Sequence, residues 1–563
     1  MYRIKNCEDI SFLENKKKII ICGWVEKIRK LKENYFIILR DRYNKVQLVF
    51  SFKNNYFLKV KIKNLNLEDC IIVYGLVNEF FSKDIISCKE ISVFDFYVIS
   101  KALFLPLQIN NTNNSEEMKL RFRCLDLRRE SIKKNIINKH KIYSIIFNFF
   151  NENNFLYIDT PNLIKFTPFG ANNFIVPSSK NNYYFSLAES PQIFKQLLMI
   201  SCYDKYFQFS KCFRNENLRK DRQPEFVQID FEMSFVDIED ILDMVEKLFY
   251  RIFCILFNIN IKTPFNKISY DDCINFYGTD KPDLRCDFFF IDFLNYFSLN
   301  QMFKIFFFIE NIKLNSFFKC ILIKKDYQNY LLKLLNLYNL EKKILIIKKK
   351  KTNWEAVVRN FDFKNENLDF FSEFYEVKDD DYLLILFGND IKIINKILFD
   401  IRSFFINNVS FCSSFNFIWV LEFPLFNYEF FNNTINSIHH PFTKPIEYFL
   451  NDFSSINKIK SKSYDLVING TEIGGGSIRI NNFFMQDLIF KLLDLNKNII
   501  GQSFEFFINS LKISPPPHGG MAIGIDRLCM LLFNTESIRE FIVFPKSLSG
   551  FDLFFNCPIK DFF

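Results

Sequence analysis

The sequence is poor in the residues that mark several common kinds of site. It has only 14 glycines and 3 tryptophans in 563 residues, and its 14 cysteines include no C-x-x-C pair. A zinc knuckle and a dithiol redox motif are therefore not indicated. No long uncharged apolar run of membrane-spanning length occurs, so we expect no membrane partner. The early residues Glu8, Asp9 and Glu14 argue against a transit peptide, and no secretory signal is visible, so we expect a reducing, cytoplasmic location.

Phenylalanine and lysine are abundant instead. The chain has 75 Phe, 49% apolar residues and 24% charged residues, a balance typical of globular proteins with buried cores. Because Phe, Lys, Ile and Asn are enriched together, we attribute the bias to A/T-rich coding DNA. The net charge of +9 suits a polyanionic partner, although the same coding bias also raises the lysine content. The length predicts roughly three or four domains.

Five short strand patterns occur in residues 1–103. Three lie within residues 18–50, and two more lie near 70–78 and 91–99. Five strands of this length predict a small β-barrel of the oligonucleotide-binding (OB) type. Alternation places four side chains on one exposed face that can stack on or hydrogen-bond unpaired bases: Phe36, Arg40, Lys45 and Gln47. An ordinary small barrel with a mixed surface is the alternative.

The rest of the chain divides by its patterns. Residues 104–133 join a polar run to a basic run and indicate a hinge. A second domain is predicted at residues 134–282. It begins with a long helix whose predicted buried face contains Ile142, Ile145, Ile146, Phe149 and Phe150. Residues 283–411 mix helix and strand signals without a cluster of catalytic residue types, which indicates an inserted domain. Residues 412–563 return to strand patterns.

Residues 206–235 predict two antiparallel strands that share one polar face. The polar positions are Gln208, Ser210, Cys212, Arg214, Glu216, Gln228, Asp230 and Glu232. The opposite face is rich in Phe, Val and Ile, and the connecting loop adds four more charged residues at 219–222. Burying so many polar groups without a partner costs free energy, so a charged ligand is indicated. A hairpin with one face in water is the alternative.

A glycine-rich strand pair at 464–480 contains two candidate metal ligands. Asp465 and Glu472 are carboxylates of the kind that bind Mg²⁺ together with phosphate oxygens. Glycines 474–476 allow a backbone to approach a ligand closely. Strict alternation places Glu472 and Arg479 on opposite faces, so both can reach one pocket only if the glycines form a bulge or a bend. A glycine run alone more often marks a loop.

Residues 515–533 predict a strand that leads directly into a helix. The helix is predicted to begin near Asp526, whose negative charge suits a helix N-terminus. The next residue, Arg527, is placed where it can hold a phosphate. A lone arginine at such a position is equally compatible with a structural role.

These stretches, in this order, resemble the three signature motifs of class II aminoacyl-tRNA synthetases. The helix and strand ending at Pro161 resemble motif one, FRNENLRKDRQPEFVQID resembles motif two, and GIDRL resembles motif three. The motif sequences are most similar to those of the bacterial-type aspartyl-tRNA synthetases. The segments that show this similarity are ESPQIFKQLLM, HHPFT, NGTEIGGGSIRI and IREFIVFPK. The resemblance covers nearly the whole chain.

The resemblance implies an OB-fold anticodon-binding domain (1–103), a hinge (104–133) and an α+β catalytic domain (134–282 and 412–563). The catalytic domain would contain a six-stranded antiparallel sheet flanked by helices and would be interrupted by an inserted α+β domain (283–411). The implied reaction joins L-aspartate to ATP, with Mg²⁺ as cofactor, and transfers the aspartyl group to tRNA(Asp). The implied assembly is a homodimer formed through motif one.

The resemblance also assigns roles to individual residues. ATP would be bound by Arg214, Glu216, Gln223, Glu472, Gly524, Ile525, Asp526 and Arg527, with Arg214 and Arg527 as the catalytic cations. Aspartate would be bound by Gln192, Lys195, Arg214, Gln228, Asp230, His439, His440 and Arg479, and Mg²⁺ by Asp465 and Glu472. The anticodon would contact Arg29, Phe36 and Gln47.

Two departures from the family pattern stand out. Phe169 lies where the family has a glutamate that helps to bind the substrate ammonium, so either a neighbour such as Asp230 takes over or aspartate binds more weakly. The inserted segment resembles the family's module only in its position. Three other activities are open: an asparaginyl- or lysyl-tRNA synthetase, a non-catalytic tRNA-binding protein, and a ligase that forms asparagine, although an anticodon-reading barrel has no use in the last.

Overall fold

The structure is a computed structural model that describes residues 6–52, 56–82, 85–109, 113–166, 172–286, 288–293, 316–337, 344–351, 353–358, 366–409, 415–429, 434–446, 458–493 and 497–560. The chain forms two compact units. The first comprises Met1–Ile137, Val543–Ser547 and Phe551–Phe563, and the second comprises Asn138–Ile542 and Leu548–Gly550. Among the described helices, we find none with the length and apolar character that a membrane span requires.

A closed five-stranded barrel is the main element of the first unit, as predicted. Its strands are β1 (Lys18–Lys30), β2 (Asn34–Arg40), β3 (Lys45–Ser51), β4 (Cys70–Ser82) and β5 (Ile85–Ser100). They pair in the order β1-β2-β3-β5-β4. A 3-10 helix (Glu8–Phe12) precedes the barrel, and helix α1 (Tyr56–Ile62), which the strand patterns did not reveal, joins β3 to β4. The interior side chains follow the predicted alternation and include Ile37, Leu39, Val46, Leu48 and Phe50.

One residue of the predicted nucleic-acid face is not exposed. Arg40 is only 4% exposed, and its Nη2 donates a hydrogen bond to Glu68 Oε2 at 2.7 Å. The prediction that Arg40 lies on the exposed face is therefore wrong. Alternation sets the direction in which a side chain leaves its strand, but it does not show that Glu68, from the segment before β4, covers this end of β2.

Three helices follow the barrel. They are α2 (Glu116–Arg121), α3 (Arg123–Asp126) and the long α4 (Glu130–Glu152). The predicted connector contacts the barrel within the first unit: Arg128 Nη1 lies 2.7 Å from Glu68 Oε2, and Glu130 Oε2 lies 2.5 Å from Lys45 Nζ. The predicted buried face of α4 is confirmed, because Ile142, Ile145, Ile146, Phe149 and Phe150 are all buried.

The second unit begins with the strands and helices that surround the polar hairpin. The strands are β6 (Leu156–Tyr157), β7 (Leu163–Ile164), β8 (Ile175–Pro177), β9 (Tyr184–Leu187), β10 (Lys205–Phe213), β11 (Glu225–Ser234) and β12 (Asn266–Ser269). The helices are α5 (Gln192–Ile200), α6 (Ile238–Phe257) and α7 (Tyr270–Tyr277). A capping box between Asp237 and Asp240 starts α6, and Asn258, in the left-handed region, ends it.

A second α+β sheet follows α7, within the range where an inserted domain was predicted. Its antiparallel strands are β13 (Ile291–Asp292), β14 (Phe317–Ile323), β15 (Ile344–Lys349), β16 (Trp354–Val358) and β17 (Tyr382–Gly388), in the order β13-β14-β17-β15-β16. Its helices are α8 (Gln328–Leu337), α9 (Glu366–Phe374) and α10 (Ile391–Asn408), and a 3-10 turn (Lys325–Tyr327) precedes α8. Hydrophobic clusters cover both faces of this sheet.

The chain then returns to the main sheet of the second unit. The strands are β18 (Phe417–Leu421), β19 (Phe426–Glu429), β20 (Thr434–Ser437), β21 (Ser463–Ile468), β22 (Thr471–Ile478) and β23 (His518–Gly524). The helices are α11 (Phe483–Leu492), α12 (Lys497–Ser510) and α13 (Ile525–Leu532), and a 3-10 turn spans Ile538–Glu540. The strand–helix junction predicted near Asp526 is therefore confirmed.

The main sheet has eight strands in the order β12-β18-β21-β22-β23-β11-β10-β6. The six inner strands are antiparallel, as the resemblance implies, but β12 and β6 add a parallel strand at each edge, so the sheet is mixed. Parallel neighbours need a crossover, and α5 lies between β6 and β10 just as α7 lies between β12 and β18. Helices α4, α6 and α13 pack on one face of the sheet, where the apolar side chains of the inner strands form the core.

Candidate active site

A cavity of about 530 Å³ opens in the second unit and gathers residues from segments that are far apart in sequence. The predicted site residues that line it are Gln192, Lys195, Arg214, Glu216, Gln223, Gln228, His439, His440, Asp465, Glu472, Arg479, Gly524, Asp526 and Arg527. Two predicted residues, Asp230 and Ile525, are buried and lie outside the described lining. Sequence reasoning did not select several other residues that line the cavity, among them the polar residues Asp280, Lys281 and Ser477.

The polar hairpin forms the floor of this cavity. In the β10–β11 pair, Gln208 lies opposite Asp230 and Ser210 lies opposite Gln228, so polar side chains meet across the strands. Each of these four side chains is at most 5% exposed. Phe207, on the opposite face of β10, packs into the core. The alternative of a hairpin with its polar face in water is therefore excluded.

Asp230 is bonded to several polar neighbours within this floor. Its Oδ1 accepts a hydrogen bond from Lys195 Nζ at 2.9 Å. Its Oδ2 accepts from Gln228 Nε2 at 2.7 Å and from the Ser210 hydroxyl. Asp230 therefore orients Lys195 and Gln228, both of which line the cavity.

Glu232 links the two buried cations. Its carboxylate lies 2.9 Å from Arg479 Nε and 3.5 Å from Lys195 Nζ. Arg479 Nη1 also donates to Ser477 Oγ at 2.7 Å. Burial by itself would raise the pKa of Glu232, but Arg479 and Lys195 outweigh it and hold the pKa below its usual range. Glu232 was visible on the polar face in the sequence, but nothing in the strand pattern distinguished it from its neighbours.

The ammonium group of Lys195 is surrounded by acceptors, whereas Gln192 has a donor without a partner. Lys195 makes one short contact, to Asp230, and its contacts with Phe231 O and Met521 O are longer, at 3.5 and 3.4 Å. Gln192, one turn earlier on α5, has a buried Nε2 without a hydrogen-bond partner among the described residues. A buried donor without a partner costs free energy, so Gln192 is suited to binding a polar ligand. The longer contacts of Lys195 are weak hydrogen bonds that a ligand can replace.

A bulge lies immediately before the glycine run. Leu466 pairs with Gly474 but Val467 pairs with Glu472, so Ile473 is the extra residue in β22. This shift brings Glu472 and Arg479 onto the same side of the sheet. A Cβ atom on Gly475 would lie 2.2 Å from Asp465 Oδ1, so a glycine is required there for close approach.

Asp465 and Glu472 form an acidic pair at the cavity wall. Burial and the neighbouring Glu472 raise the pKa of Asp465 well above its usual range. Burial also acts to raise the pKa of Glu472, but Lys281 and Arg527 outweigh it, so that pKa is lowered. Lys281 Nζ lies 3.1 Å from Glu472 Oε2.

The acidic pair fits Mg²⁺ only as a partial ligand set. Mg²⁺ in nucleotide sites is commonly held by one or two carboxylates together with phosphate oxygens and water. Within the described ranges, no group of three or more His, Cys, Asp or Glu side chains is arranged to hold a metal ion. Asp465 and Glu472 therefore suit an ion that shares its ligands with a nucleotide.

The arginines of the predicted nucleotide site are paired with carboxylates. Arg527 Nη2 lies 3.5 Å from Asp221, and Arg527 Nη1 donates to the backbone oxygen of Glu472 at 3.0 Å. Arg214 Nε lies 3.5 Å from Glu189, and its guanidinium lies over the ring of Phe226. A further pair, Arg222–Glu216 at 2.8 Å, lies in the loop between β10 and β11. Each cation is therefore oriented and yet accessible to an anionic ligand.

Contacts at the start of helix α13 fix the position of Arg527. Asp526 is 4% exposed and lies 2.5 Å from Lys139 Nζ, which also donates to Phe541 O at 3.1 Å. Burial raises the pKa of Asp526, and Lys139 opposes this effect. Gly524 is the N-terminal cap of α13, and Ile525 is fully buried in the core beneath it.

Two adjacent histidines complete the cavity. Desolvation of its ring within the cavity lowers the pKa of His439 to about 4, although the residue keeps an exposed surface, and desolvation lowers the pKa of His440 well below its usual range. Both rings are therefore neutral near pH 7, when each can donate one hydrogen bond and accept another. His439 packs edge-on against Phe423 at 4.4 Å.

The three predicted anticodon residues share the outer face of the barrel in the first unit. Arg29 pairs with Phe36 across β1 and β2, and Gln47 pairs with Ile38 across β2 and β3. Gln47 Nε2 donates to Glu90 Oε2 at 2.9 Å. Phe169, the departure from the family pattern, lies outside the described residues.

Comparison with known proteins assigns the chain to a family. The family described as tRNA synthetases class II (D, K and N) matches residues 115–548, and an OB-fold nucleic acid binding domain matches residues 19–99. The aspartate–tRNA(Asp/Asn) ligase of Thermodesulfovibrio yellowstonii is 37% identical over 100% of this chain and 97% of that protein. The aspartate–tRNA ligase of Malacoplasma penetrans is 38% identical over 96% of this chain and 94% of that protein.

Solved structures show the same fold. The asparaginyl-tRNA synthetase of Pyrococcus horikoshii, complexed with asparaginyl-adenylate, aligns with a TM-score of 0.61 at 17% identity and covers 97% of this chain and 99% of that one. The Entamoeba histolytica asparaginyl-tRNA synthetase, in complex with the same adenylate, gives a TM-score of 0.60 at 19% identity, over 95% and 96% of the two chains. From the family match and the full-length relatives, the chain belongs to the aspartate–tRNA ligases, within the class II aminoacyl-tRNA synthetases.

Proposed function

We propose that the cavity joins L-aspartate to ATP, forming aspartyl-adenylate and pyrophosphate, and then transfers the aspartyl group to the 3′ end of tRNA(Asp). Ligation of an amino acid to tRNA is the activity of the family to which the chain belongs. We choose aspartate because two buried cations, Lys195 and Arg479, lie at the cavity. Both form ion pairs with the carboxylate of Glu232.

This cation pair suits a side-chain carboxylate. An arginine fork and an ammonium group together match two carboxylate oxygens, whereas an asparagine amide would direct an N–H group toward one of the cations. A site built from buried donors rejects a ligand that leaves those donors unpaired. Gln192 and Gln228 line the same cavity and supply further polar contacts to the substrate. The neutral rings of His439 and His440 would add hydrogen bonds without repelling the cations.

ATP would be held by the arginines and the acidic pair. We assign Arg214 to the α-phosphate and the substrate carboxylate, Arg527 to the γ-phosphate, and Glu216 with Gln223 to the rest of the nucleotide. Asp465 and Glu472 would hold Mg²⁺, which would neutralise phosphate charge when bound. Asp526 and Ile525 would act through α13, because Asp526 is bound to Lys139 and Ile525 is buried.

The chemistry needs no protein nucleophile. The α-carboxylate of aspartate attacks the α-phosphorus, the bond to the bridging oxygen of pyrophosphate breaks, and the pentavalent phosphorus carries added negative charge. Arg214 would stabilise that charge because its guanidinium is oriented by Glu189 and Phe226 before the reaction begins. In the second step a ribose hydroxyl of the tRNA attacks the acyl carbon and AMP leaves.

The barrel would recognise the anticodon through its outer face. Phe36 provides a ring for stacking on an unpaired base, and Gln47 and Arg29 provide hydrogen-bonding groups beside it. Aspartate–tRNA ligases must choose their tRNA, and an OB-fold is a common platform for single-stranded RNA. We assign tRNA(Asp) as the partner of this face.

A homodimer would cover an apolar surface around motif one. The exposed side chains there, with their exposed fractions, are Phe147 (37%), Leu156 (52%), Tyr157 (39%), Leu163 (50%) and Phe166 (49%). Clustered exposed apolar groups of this size mark interaction surfaces.

Amino-acid-dependent exchange of labelled pyrophosphate into ATP tests the proposed substrate. Purified protein should exchange label with aspartate and not with asparagine or lysine. Exchange driven by asparagine or lysine alone would refute the choice of aspartate, and tight tRNA binding without any exchange would indicate a non-catalytic tRNA-binding protein. Charging assays with purified tRNA(Asp) and tRNA(Asn) would then define the tRNA partner.

A further inference from the structure

Lys281 is placed against the acidic pair by a rigid segment of backbone. It follows α7, whose C-terminal cap Gly278 has φ 68° and leaves no room for a Cβ atom against Phe290 and Asn395. Two residues after Lys281, the backbone oxygen of Asp283 accepts a hydrogen bond from Arg402 of α10. The backbone of this segment is therefore held from both sides, and Lys281 extends its long side chain into the cavity.

The ammonium group of Lys281 lies where it can compete with a metal ion. Its Nζ is 3.1 Å from Glu472 Oε2 and 3.3 Å from Asp280 Oδ2, and the side chain is 39% exposed. The same Glu472 carboxylate belongs to the acidic pair that fits Mg²⁺. Two cations at one carboxylate repel each other, so a metal ion that reaches Glu472 must displace Lys281 or share the carboxylate with it.

We propose that Lys281 is an exchangeable counter-cation for Glu472. In the nucleotide-free protein it neutralises Glu472 and opposes binding of a metal ion by itself. When ATP and the metal arrive together, the ammonium leaves Glu472 and pairs with phosphate oxygens, which become the pyrophosphate. The proposal rests on the proposed function, because it takes the acidic pair as the metal site of the adenylation reaction.

The side chain is suited to this exchange. A lysine is a compact charge on four flexible methylene groups, so the ammonium can move between anions while the backbone stays in place. The other cations near the acidic pair are less free to do so, because Arg527 is bound to Asp221 and to the backbone of Glu472. Because the ammonium of Lys281 would move from the Glu472 carboxylate to a phosphate of the nucleotide, metal binding would also depend on the nucleotide.

Binding of Mn²⁺ to the full-length, nucleotide-free protein tests the proposal, with electron paramagnetic resonance as the readout. Lys281→Met should bind Mn²⁺ about tenfold more tightly than wild type, since it removes the competing charge but keeps the length of the side chain. Lys281→Arg should bind Mn²⁺ as wild type does. The control is Lys247→Met, which removes an exposed lysine that pairs with Asp243 on α6.

A second measurement uses pyrophosphate, whose binding should weaken in the variant that binds Mn²⁺ more tightly. The KM for pyrophosphate in the exchange reaction should rise about tenfold in Lys281→Met and stay near wild type in Lys281→Arg. Lys281→Gln is the second variant if Lys281→Met does not fold. Mn²⁺ affinity that is unchanged in both neutral variants overturns the proposal, and so does an unchanged KM for pyrophosphate. Wild-type protein that lacks aspartate-dependent exchange would instead refute the proposed function.

Discussion

Replacing Glu232 by glutamine removes one negative charge from a group of four buried charges. Lys195, Asp230, Glu232 and Arg479 are each at most 4% exposed, and their charges sum to zero. Glutamine has nearly the same shape as glutamate, so the packing is kept while Arg479 and Lys195 lose their shared counter-charge. The two cations would then repel each other across a site of low dielectric constant.

The expected loss can be worked out from this geometry. Removing one partner of a buried ion pair costs about 3–5 kcal/mol, and the remaining acceptor of glutamine offsets part of it. If about 2–3 kcal/mol appears in the transition-state complex, kcat/KM for aspartate falls roughly 30- to 160-fold. The loss should appear mainly in the aspartate KM, because the arginines assigned to ATP do not contact Glu232.

Steady-state pyrophosphate exchange with varied aspartate, and separately with varied ATP, measures this loss. The control is Glu239→Gln, which removes a carboxylate from an exposed pair with Lys267 on the same unit. A Glu232→Gln variant whose aspartate KM stays within twofold of wild type would show that the shared carboxylate does not orient the cations. An equal rise in both KM values would indicate general damage to the fold.

The pH dependence of stability gives an independent check. The pKa of Glu232 is lowered in the folded protein, so its contribution to stability is complete above the usual carboxyl range and is lost as pH falls through the folded pKa. Wild type should therefore lose more thermal stability than Glu232→Gln between about pH 5 and pH 3. Parallel melting curves at these pH values would contradict the assignment.

Three further substitutions test other parts of the structure. Gly475→Ala places a Cβ atom 2.2 Å from Asp465 Oδ1, so this carboxylate must move. Because Asp465 is a proposed Mg²⁺ ligand, the exchange reaction should then require several-fold more Mg²⁺. An unchanged Mg²⁺ titration of the exchange rate would contradict the close approach. Lys139→Met leaves Asp526 buried without its cation and should destabilise the protein by about 2–4 kcal/mol at pH 7.5. Because burial already raises the pKa of Asp526, this deficit should shrink as pH falls toward 5, and urea denaturation at the two pH values measures it. Phe36→Ala should lower kcat/KM for tRNA charging about 5- to 150-fold through lost stacking, and a change under twofold would refute the role of that face.

Alternation in the sequence predicted which side chains share a face of the barrel and of the polar hairpin. Ile37 and Leu48 are buried inside the barrel, Gln228 lines the cavity, and Asp230 is buried beside Gln228 on the same face of the hairpin. These predictions hold because the side-chain period of a strand is a local property of the backbone. The same rule failed for Arg40, since burial by a distant segment is not a local property.

Motifs led to many of the residues that line the cavity, but not to their partners. Lys195 and Arg479 stand in recognisable segments, whereas the carboxylate that joins them, Glu232, was one of several polar residues on its strand. Lys281 lies in a segment that the motifs did not include, and it reaches Glu472 across nearly two hundred positions of sequence. Spacing within one segment carries no information about such pairs.

The sequence by itself determined the strand and helix periods and the family, because these depend on short contiguous stretches. Only the tertiary structure decided which charges neutralise one another, which strands join the sheet edges in parallel, and where the cavity opens. Coulomb energy and desolvation depend on distances through space, and the order of strands in the sheet sets those distances.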